Sequence, residues 1–269
     1  MYNYKCKLKK PFREEIKMKK MTKIIAAVMA LVLLVSITAC GKSGLTLEDI
    51  KADGKLIVAT NSEFPPFEYK DGDAVVGFDM DLCAYIAKEI GVTMEVLDIA
   101  FEDVIANIQS GSAHIGAAGM TVKPDRLQNV DFSDTYFKAS QVIILKEDAA
   151  FTATSELKNM NIGVQDGTTG ADYVRENIKE PMGFASGALA IEAMKAGQID
   201  CVIIDNYPAI EFVKKNPGLK VYETPLTVEE YAIAIPKNSP ELVEVINKVI
   251  KDLTANGEFD KLLEKYELK

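Results

Sequence analysis

From residue 55 onward, continuous apolar runs of the kind found in buried strands alternate with segments whose apolar residues recur at helical spacing. The apolar run "KLIVAT" predicts a buried strand, whereas "DMDLCAYIAKEIG" repeats its apolar residues at helical spacing and ends at a glycine. The stretches "TMEVLDI", "FEDVIANIQSG" and "AHIGAAGMT" then predict a strand, a helix and a buried strand. This order is typical of a layered α/β fold with mostly parallel strands.

A second set of elements repeats this order from about residue 155. Here "NIGVQ" predicts a strand, "DGTTGADYVRENI" a turn that becomes a helix, "GALAIEAMKAGQ" a glycine-stopped helix and "IDCVIIDN" a buried strand. The two sets share an architecture, but no sequence repeat indicates a duplication.

Two extended stretches connect these sets. The first is "KASQVIILKED", and the second is "EEYAIAIPKNS", which precedes the final helices. They would let the chain cross into a second lobe and return. The final helices begin with Ser239 as a predicted cap and Pro240 at the first helical position, and Gly257 separates the two.

The first 39 residues do not fit this fold. Lysines precede the apolar run of residues 24–35, which ends in the small residues of "SITAC", and this order is typical of an export signal. The end of the run, "ITAC", resembles a lipobox, which implies that Cys40 becomes a lipidated N-terminus with residues 40–46 as its tether. An ordinary cleavage site and a single membrane anchor are the alternatives. Met18, followed by two lysines, suits the start of translation better than Met1.

Length and charge limit the classes of function. The 269 residues are 48% apolar, enough for one large domain or two lobes with real cores. Residues 1–39 carry nine Lys or Arg and two Asp or Glu, so their removal changes the net charge from −9 to −16. This acidic balance argues against nucleic-acid binding and against docking on an anionic membrane by charge alone. Membrane attachment would then depend on the lipid.

The cysteines and the histidine of the main body predict neither a metal nor a cofactor. Cys83 and Cys201 lack CxxC spacing and suit small core positions, and the single His114 completes no metal-binding set. We expect His114 at a solvated strand start rather than in catalysis.

Polar and aromatic residues follow the predicted strands at their carboxyl ends, where ligands bind in open α/β sheets. They are residues 61–64, Phe101, residues 118–121, residues 165–170 and Asp205. Together with Arg126 they offer one arginine, the carboxylate of Asp205, two aromatic rings, several hydroxyls and a helix N-terminus. They include no nucleophile paired with a base.

An amino-acid zwitterion needs such a set. Its carboxylate suits a bidentate pair with Arg126, and the amides of "GTTG" at a helix start add donors. Its ammonium needs an acceptor, for which Asp205 is the candidate, and Phe64 and Phe101 suit its aliphatic part. Both charges need a partner, because burying either one alone is costly.

Taken singly, each of these residues has another interpretation. Arg126 also suits a strand cap or a surface pair with Asp125 or Asp131. Asp205 also suits the N-cap of the helix that follows it, "DGTTG" a plain turn, and the two phenylalanines a core.

Three longer stretches carry a resemblance to a known family. They are "ATNSEFPPFEYKDGDAVVGFDMDLCAYIAKEIG", "AAGMTVKPDRLQNVDFSDTYF" and "IGVQDGTTGADYV". From residue 47 to the end, the chain resembles the amino-acid-binding proteins of ABC importers, family 3 of the bacterial solute-binding proteins. The resemblance implies an α/β, two-lobed, periplasmic-binding-protein-like fold of type II with two hinge strands. It implies residues 47–138 and 234–269 in lobe 1, and residues 139–233 in lobe 2.

The resemblance also implies roles for single residues. Arg126 and Thr121 would bind the ligand carboxylate, helped by Thr168 and Thr169. Gly119 would offer its carbonyl to the ammonium, with Asp205 as the charged partner. The aromatic walls and the side-chain pocket would be formed by Phe64, Phe101, Asn61, Glu63, Ala118 and Gln165.

The same resemblance implies a class of ligand. Relatives that bind cationic side chains often carry an acidic residue where this chain has Asn61, and only the nearby Glu63 replaces that charge. We therefore predict a polar, uncharged amino acid, with a cationic one as the alternative.

The predicted function is that of a monomeric, lipid-anchored, extracytoplasmic receptor without a cofactor. It would deliver its amino acid to the permease and ATPase subunits of an ABC transporter. A dehydratase of the same fold is the alternative, with Glu63 or Asp205 as its general acid.

Overall fold

A computed structural model describes residues 44–222 and 224–269. The predicted signal, the lipobox and Cys40 lie outside the described residues. The strands are β1 (Lys55–Thr60), β2 (Glu63–Phe64), β3 (Glu68–Asp71), β4 (Ala74–Val76), β5 (Thr93–Asp98), β6 (Ile115–Gly116), β7 (Val130–Phe132), β8 (Phe137–Ala139), β9 (Gln141–Lys146), β10 (Ile162–Gln165), β11 (Met182–Phe184), β12 (Cys201–Asp205), β13 (Leu219–Tyr222), β14 (Glu229–Tyr231) and β15 (Ala234–Pro236).

Helices separate most of these strands. They are α1 (Leu47–Asp53), α2 (Phe78–Ile90), α3 (Val104–Ser110), α4 (Pro124–Leu127), α5 (Thr169–Asn177), α6 (Gly187–Lys195), α7 (Asn206–Lys215), α8 (Pro240–Asn256) and α9 (Glu258–Lys265), with 3-10 turns at Phe101–Asp103 and Thr154–Asn159. Among the described residues, none of the helices combines the length and the apolar composition that a membrane span needs.

Two five-stranded sheets share one topology. The first has the order β5-β1-β6-β15-β7 and the second the order β11-β10-β12-β9-β13. In the first sheet only β15 runs against the other strands, and in the second only β9 does so. The predictions of a two-lobed α/β fold and of mostly parallel strands are therefore confirmed.

The reversed strands come from the two connecting stretches. The chain enters the second sheet through β9, within "KASQVIILKED", and returns to the first through β15, within "EEYAIAIPKNS". Just before these strands, β8 and β14 pair as an antiparallel ribbon, with Phe137 opposite Tyr231. The two predicted hinge stretches thus lie side by side, because each carries the chain between the same two sheets.

Apolar spacing correctly predicted the long helix α8, which packs against α2 and α9. The predicted stripe of α8 is buried: Leu242, Ile246, Val249, Ile250 and Leu253. Each such side chain contributes about 2 kcal/mol on leaving water. The helix ends at Gly257, which has φ of 79°. The predicted cap at Ser239 is wrong in its chemistry, because the Ser239 hydroxyl is buried and makes no capping hydrogen bond.

Three further predictions can be compared with the structure. Cys83 and Cys201 are free, buried core residues, as predicted. His114 is not solvated, because its side chain is buried, with Nδ1 accepting from the Ile57 amide at 3.2 Å and Nε2 lying 3.2 Å from an oxygen of Asp53. The strand predicted over "AHIGAAGMT" is reduced to β6, and the chain then leaves the sheet as a loop.

Candidate functional site

A cavity with an empty volume of about 330 Å³, measured to include the space open to solvent, lies where the strands of both sheets reach their carboxyl ends. Its lining residues are Asn61, Phe64, Glu68, Phe101, Ala118, Gly119, Thr121, Arg126, Gln165, Thr168, Thr169 and Asp205. Every predicted site residue except Glu63 is among them. Glu63 is exposed on β2 and lies outside this lining, whereas the buried Glu68, which the sequence analysis missed, belongs to it.

Arg126 is a buried cation on the short helix α4, with 5% of its surface exposed. Nη1 donates to the Thr121 carbonyl at 2.8 Å and Nη2 to the Gly167 carbonyl at 3.0 Å. Its Cζ lies 5.2 Å from the ring centre of Phe101, a cation-π distance. Burial lowers the pKa of Arg126, but a guanidinium keeps its charge in proteins. Its remaining N–H donors are available to an anion in the cavity.

The surface-pair interpretation of Arg126 is wrong. The carboxylate of Asp125 lies 3.0 Å from Lys123 Nζ, and that of Asp131 lies 2.7 Å from Lys237 Nζ. Within residues 44–222 and 224–269, no carboxylate lies at ion-pair distance from Arg126.

Asp205 is the matching buried anion at the end of β12, with 6% of its surface exposed. Its Oδ1 accepts from the Tyr231 hydroxyl at 2.5 Å and its Oδ2 from Gln141 Nε2 at 2.8 Å. Asp205 occupies the N-cap position of α7, as the alternative interpretation had it, but its side chain makes no capping bond to that helix. Burial raises the pKa of Asp205 to about 7, and the nearby charge of Glu229 acts in the same direction.

The "GTTG" loop starts α5 beside the cavity. The Thr168 hydroxyl caps this helix by accepting from the Ala171 amide at 3.2 Å, and it donates to the Gln165 carbonyl at 2.8 Å. The Thr169 hydroxyl accepts from Gln141 Nε2 at 3.2 Å. The loop therefore offers the cavity a helix N-terminus, whose partial positive charge favours an anion.

The wall formed by Gly119 is held by a buried carboxylate that the sequence analysis did not identify. Asp79 Oδ2 accepts from the Gly119 amide at 2.9 Å and Oδ1 from the Tyr136 hydroxyl at 2.6 Å. Burial raises the pKa of Asp79 to about 6. Gly119 has φ of 53°, and a Cβ there would lie 2.7 Å from the Phe64 ring, so this wall requires glycine.

Other residues missed by the sequence analysis carry weak sequence signals. Tyr231 and Gln141 fix the Asp205 carboxylate, but both lie in the connecting stretches, which were interpreted only as crossings. Asp79 is a charged residue among the buried, mostly apolar residues of α2. A charge at such a position was the one feature of the sequence that indicated a role for Asp79. Glu68 follows "PPF" and is the buried first residue of β3, in the small sheet formed by β2, β3 and β4.

Polar contacts between the two lobes close the cavity. Gln165 Nε2 donates to Asn61 Oδ1 at 3.1 Å, beside the bond from Arg126 to the Gly167 carbonyl. Farther out, Lys123 Nζ lies 2.6 Å from the Asp172 carboxylate on α5. The structure therefore represents a closed arrangement of the two lobes.

Comparisons with known proteins agree with this geometry. A family model described as bacterial extracellular solute-binding proteins, family 3, matches residues 56–269. The arginine-binding extracellular protein ArtP of Bacillus subtilis is 34% identical over 254 residues, which cover 91% of this chain and 98% of that protein. The ABC transporter glutamine-binding protein GlnH of the same organism is 27% identical over 259 residues, covering 89% and 95%. The crystal structure of the P235GK mutant of ArgBP from T. maritima has a TM-score of 0.80 and 35% identity, and covers 83% of this chain and 99% of that one.

Proposed function

The chain belongs to the bacterial extracellular solute-binding proteins of family 3, and from this premise we propose that it binds one free amino acid in the cavity between its lobes and delivers it to an ABC permease. One observation carries the proposal. Arg126 and Asp205 are buried charges of opposite sign that line the same cavity without pairing with each other. A zwitterion supplies the missing partner of each.

The ligand carboxylate would bind to Arg126. The two carbonyls that accept from Nη1 and Nη2 orient the guanidinium, and its other donors suit a bidentate pair. Thr121 would add a hydroxyl, and the chain at Thr168 and Thr169 would add the helix N-terminus.

The ligand ammonium would bind to Asp205 and to the carbonyl of Gly119. The two hydrogen bonds to Asp205 already hold its carboxylate in place, so binding needs little reorganisation. Phe64 and Phe101 would enclose the aliphatic part, and the remaining lining residues Asn61, Ala118 and Gln165 would face the ligand side chain.

Ligand binding would shift an equilibrium between open and closed lobes. The ligand would be held by residues of both lobes, so it would stabilise the closed form more than the open one. Lys123 and Asp172 would add a contact that exists only after closure.

The chain is not classed with enzymes, because its relatives are solute-binding proteins. Of the two acids considered for a dehydratase, Glu63 is exposed and outside the cavity lining, and Asp205 serves as the proposed ammonium partner. The predicted polar, uncharged ligand stays a prediction, since the relatives are named for arginine as well as for glutamine.

Calorimetry with the twenty amino acids tests the proposal. The protein is first unfolded and refolded to remove ligand carried through purification, and we expect at least one amino acid to bind with a micromolar or lower dissociation constant, which corresponds to about 8 kcal/mol. The same amino acid as its methyl ester, which lacks the carboxylate charge, serves as the control and should bind far more weakly. If none of the twenty amino acids binds, the proposal is contradicted.

The chain acts outside the cytoplasm, as its family does, and we propose that a lipid on Cys40 anchors it to the membrane. Cys40→Ser should move most of the full-length protein from the membrane fraction to the soluble extracytoplasmic fraction, because a lipid chain is the only anchor proposed. Ser43→Ala, in the proposed tether next to Cys40, is the control and should leave the protein on the membrane. Membrane retention of Cys40→Ser would contradict the anchor.

The proposed lobe boundaries remain those of the sequence analysis, residues 47–138 with 234–269 and residues 139–233. They are supported by the membership of the sheets, since β15 joins strands from the first part of the chain and β9 joins strands from the second. A monomer is proposed as well, because both halves of the cavity come from one chain.

A further inference from the structure

Tyr231 lies behind the cavity, on the ribbon strand β14, and is fully buried without lining the cavity itself. Its ring packs edge-on against Phe67, with 5.1 Å between the ring centres, and lies 5.9 Å from the ring of Phe137. Its hydroxyl donates to Asp205 Oδ1. Burial raises the pKa of Tyr231 well above its ordinary value, so the hydroxyl keeps its proton and remains a donor. Tyr231 therefore acts on a ligand through Asp205.

The backbone of Tyr231 is tied to the segment that orients Arg126. Tyr231 and Thr121 face each other in an antiparallel bridge, and backbone hydrogen bonds of 3.0 and 3.1 Å flank this bridge on its two sides. The Thr121 carbonyl in turn accepts from Arg126 Nη1 at 2.8 Å. Tyr231 thus joins the proposed carboxylate subsite through its backbone to the proposed ammonium subsite through its hydroxyl.

This link matters because the two charged groups of the site come from different sheets. Arg126 lies on α4, between the strands β6 and β7 of the first sheet, whereas Asp205 ends β12 of the second. Neither sheet alone sets the distance between them. An amino acid has a fixed separation between its carboxylate and its ammonium, so the site binds it best when both partners are held in place beforehand. A packed tyrosine, with only two rotatable side-chain bonds, is a rigid connection.

We propose that Tyr231 is a positioning residue, which holds the Asp205 carboxylate in place relative to Arg126 and so fixes the separation of the two charges that the ligand bridges. This inference rests on the proposed function, because it assigns the residue that positions the ammonium partner. Gln141 Nε2 holds the other carboxyl oxygen of Asp205, but Gln141 lies on β9, which belongs to the same sheet as β12. That bond does not refer Asp205 to the first sheet, whereas the bond from Tyr231 does.

The same hydrogen bond acts on the charge of Asp205. The titratable and charged groups around Asp205 are Tyr231, Glu229, Glu68 and Arg126. Burial raises the pKa of Asp205 to about 7, the hydrogen bond from Tyr231 opposes this rise, and the charge of Glu229 adds to it. Without the Tyr231 hydroxyl the pKa of Asp205 should therefore rise further, since the other groups stay in place.

Tyr231→Phe removes this hydroxyl and keeps the packed ring, and Tyr222→Phe is the matched control. The Tyr222 hydroxyl donates to the Thr152 carbonyl at 3.3 Å, outside the cavity lining. The probes are the amino acid that binds most tightly among the twenty and its β³-homologue, in which one more CH₂ separates the carboxylate from the ammonium.

Calorimetry near pH 8 should show that Tyr231→Phe binds the amino acid about tenfold more weakly than wild type, because the variant no longer holds Asp205 in place with a hydrogen bond to its charged form. The β³-homologue does not match the fixed separation, so its affinity should change less than about threefold. Tyr222→Phe should change neither affinity by more than about twofold.

The pH profile separates positioning of Asp205 from a purely structural contribution. Wild-type affinity should begin to weaken as the pH falls below about 7, where Asp205 takes up a proton. In Tyr231→Phe this bend should lie about one pH unit higher, and in Tyr222→Phe it should stay at the wild-type position. An unchanged bend in Tyr231→Phe, or an equal loss of both probes, overturns the inference and leaves amino-acid binding intact.

A double variant shows whether Tyr231 acts through Asp205. Adding Tyr231→Phe to Asp205→Asn should change the affinity for the amino acid less than about threefold, because the charge that Tyr231 positions is already absent. A further tenfold loss, or more, would contradict the inference. If Tyr231→Phe alone does not fold, this comparison decides, since it leaves no buried carboxylate without its donor. If no amino acid binds to the wild-type protein, the inference and the proposed function both fail.

Discussion

Arg126→Ala should weaken binding of the amino acid by about 100-fold or more. The guanidinium is almost fully buried and lies at ion-pair distance from no described carboxylate, so its removal leaves the ligand carboxylate enclosed without a counter-charge. Removing one member of a buried, hydrogen-bonded charge pair costs about 3 kcal/mol, which corresponds to the stated factor. Calorimetry at neutral pH measures the loss directly.

Two further variants show whether the effect depends on the guanidinium and its position. Arg126→Lys keeps a positive charge but loses the planar fork, so we expect it to recover only part of the affinity. Arg175→Ala removes a half-exposed arginine from α5 and should change the affinity less than about twofold. A normal affinity in Arg126→Ala, or an equal loss in Arg175→Ala, would refute the carboxylate role.

The regular part of the fold was predictable because its signals are local. Apolar periodicity and a terminal glycine correctly predicted α2 and α8, and short apolar runs correctly predicted β1, β10 and β12. Parallel strands place their carboxyl ends at one edge, so the residues after these strands were correctly expected to lie together. The cavity lining is largely a consequence of that rule.

The rest depends on contacts between distant parts of the chain. Glu63 on β2 and Glu68 on β3 are acidic residues five positions apart, and nothing in the local sequence shows that the first is exposed and the second buried. Their difference follows from how β2, β3 and β4 fold against the rest of the chain. In the same way, Asp205 suited a helix cap by sequence, but Tyr231 and Gln141 from the connecting stretches hold its carboxylate at the cavity.

The buried carboxyl groups link the stability of the ligand-free protein to its function. Asp205 and Asp79 have pKa values raised to about 7 and about 6 because burial disfavours their charged forms. A carboxyl with a raised pKa stabilises the fold fully below its unfolded pKa, and this contribution is lost as the pH rises through its folded value. For Asp205 the window runs from the ordinary value of 3.8 to about 7, so ionisation costs about 4 kcal/mol. The ligand ammonium offsets this cost.

Asp205→Asn should therefore change stability and binding in opposite directions. Near pH 8, above the raised pKa of Asp205, the ligand-free variant should unfold at a higher temperature than wild type because it lacks the buried charge. Its affinity for the ligand should fall by about 100-fold. Wild-type affinity should weaken as the pH falls below about 7, since Asp205 must lose a proton to pair with the ammonium. Below about pH 7 the slope of log Kd against pH should be about −1 in wild type and about zero in the variant. Asp79 keeps its own contribution to stability in both.

Thermal unfolding and calorimetry between about pH 5 and pH 8 measure both effects in the same samples. Asp71→Asn, at an exposed position at the end of β3, is the control and should follow wild type in both. A purely structural Asp205 would lower the unfolding temperature and the affinity together. If the charged Asp205 instead destabilises the ligand-free protein and pairs with the ligand ammonium in the complex, Asp205→Asn is more stable than wild type but binds more weakly.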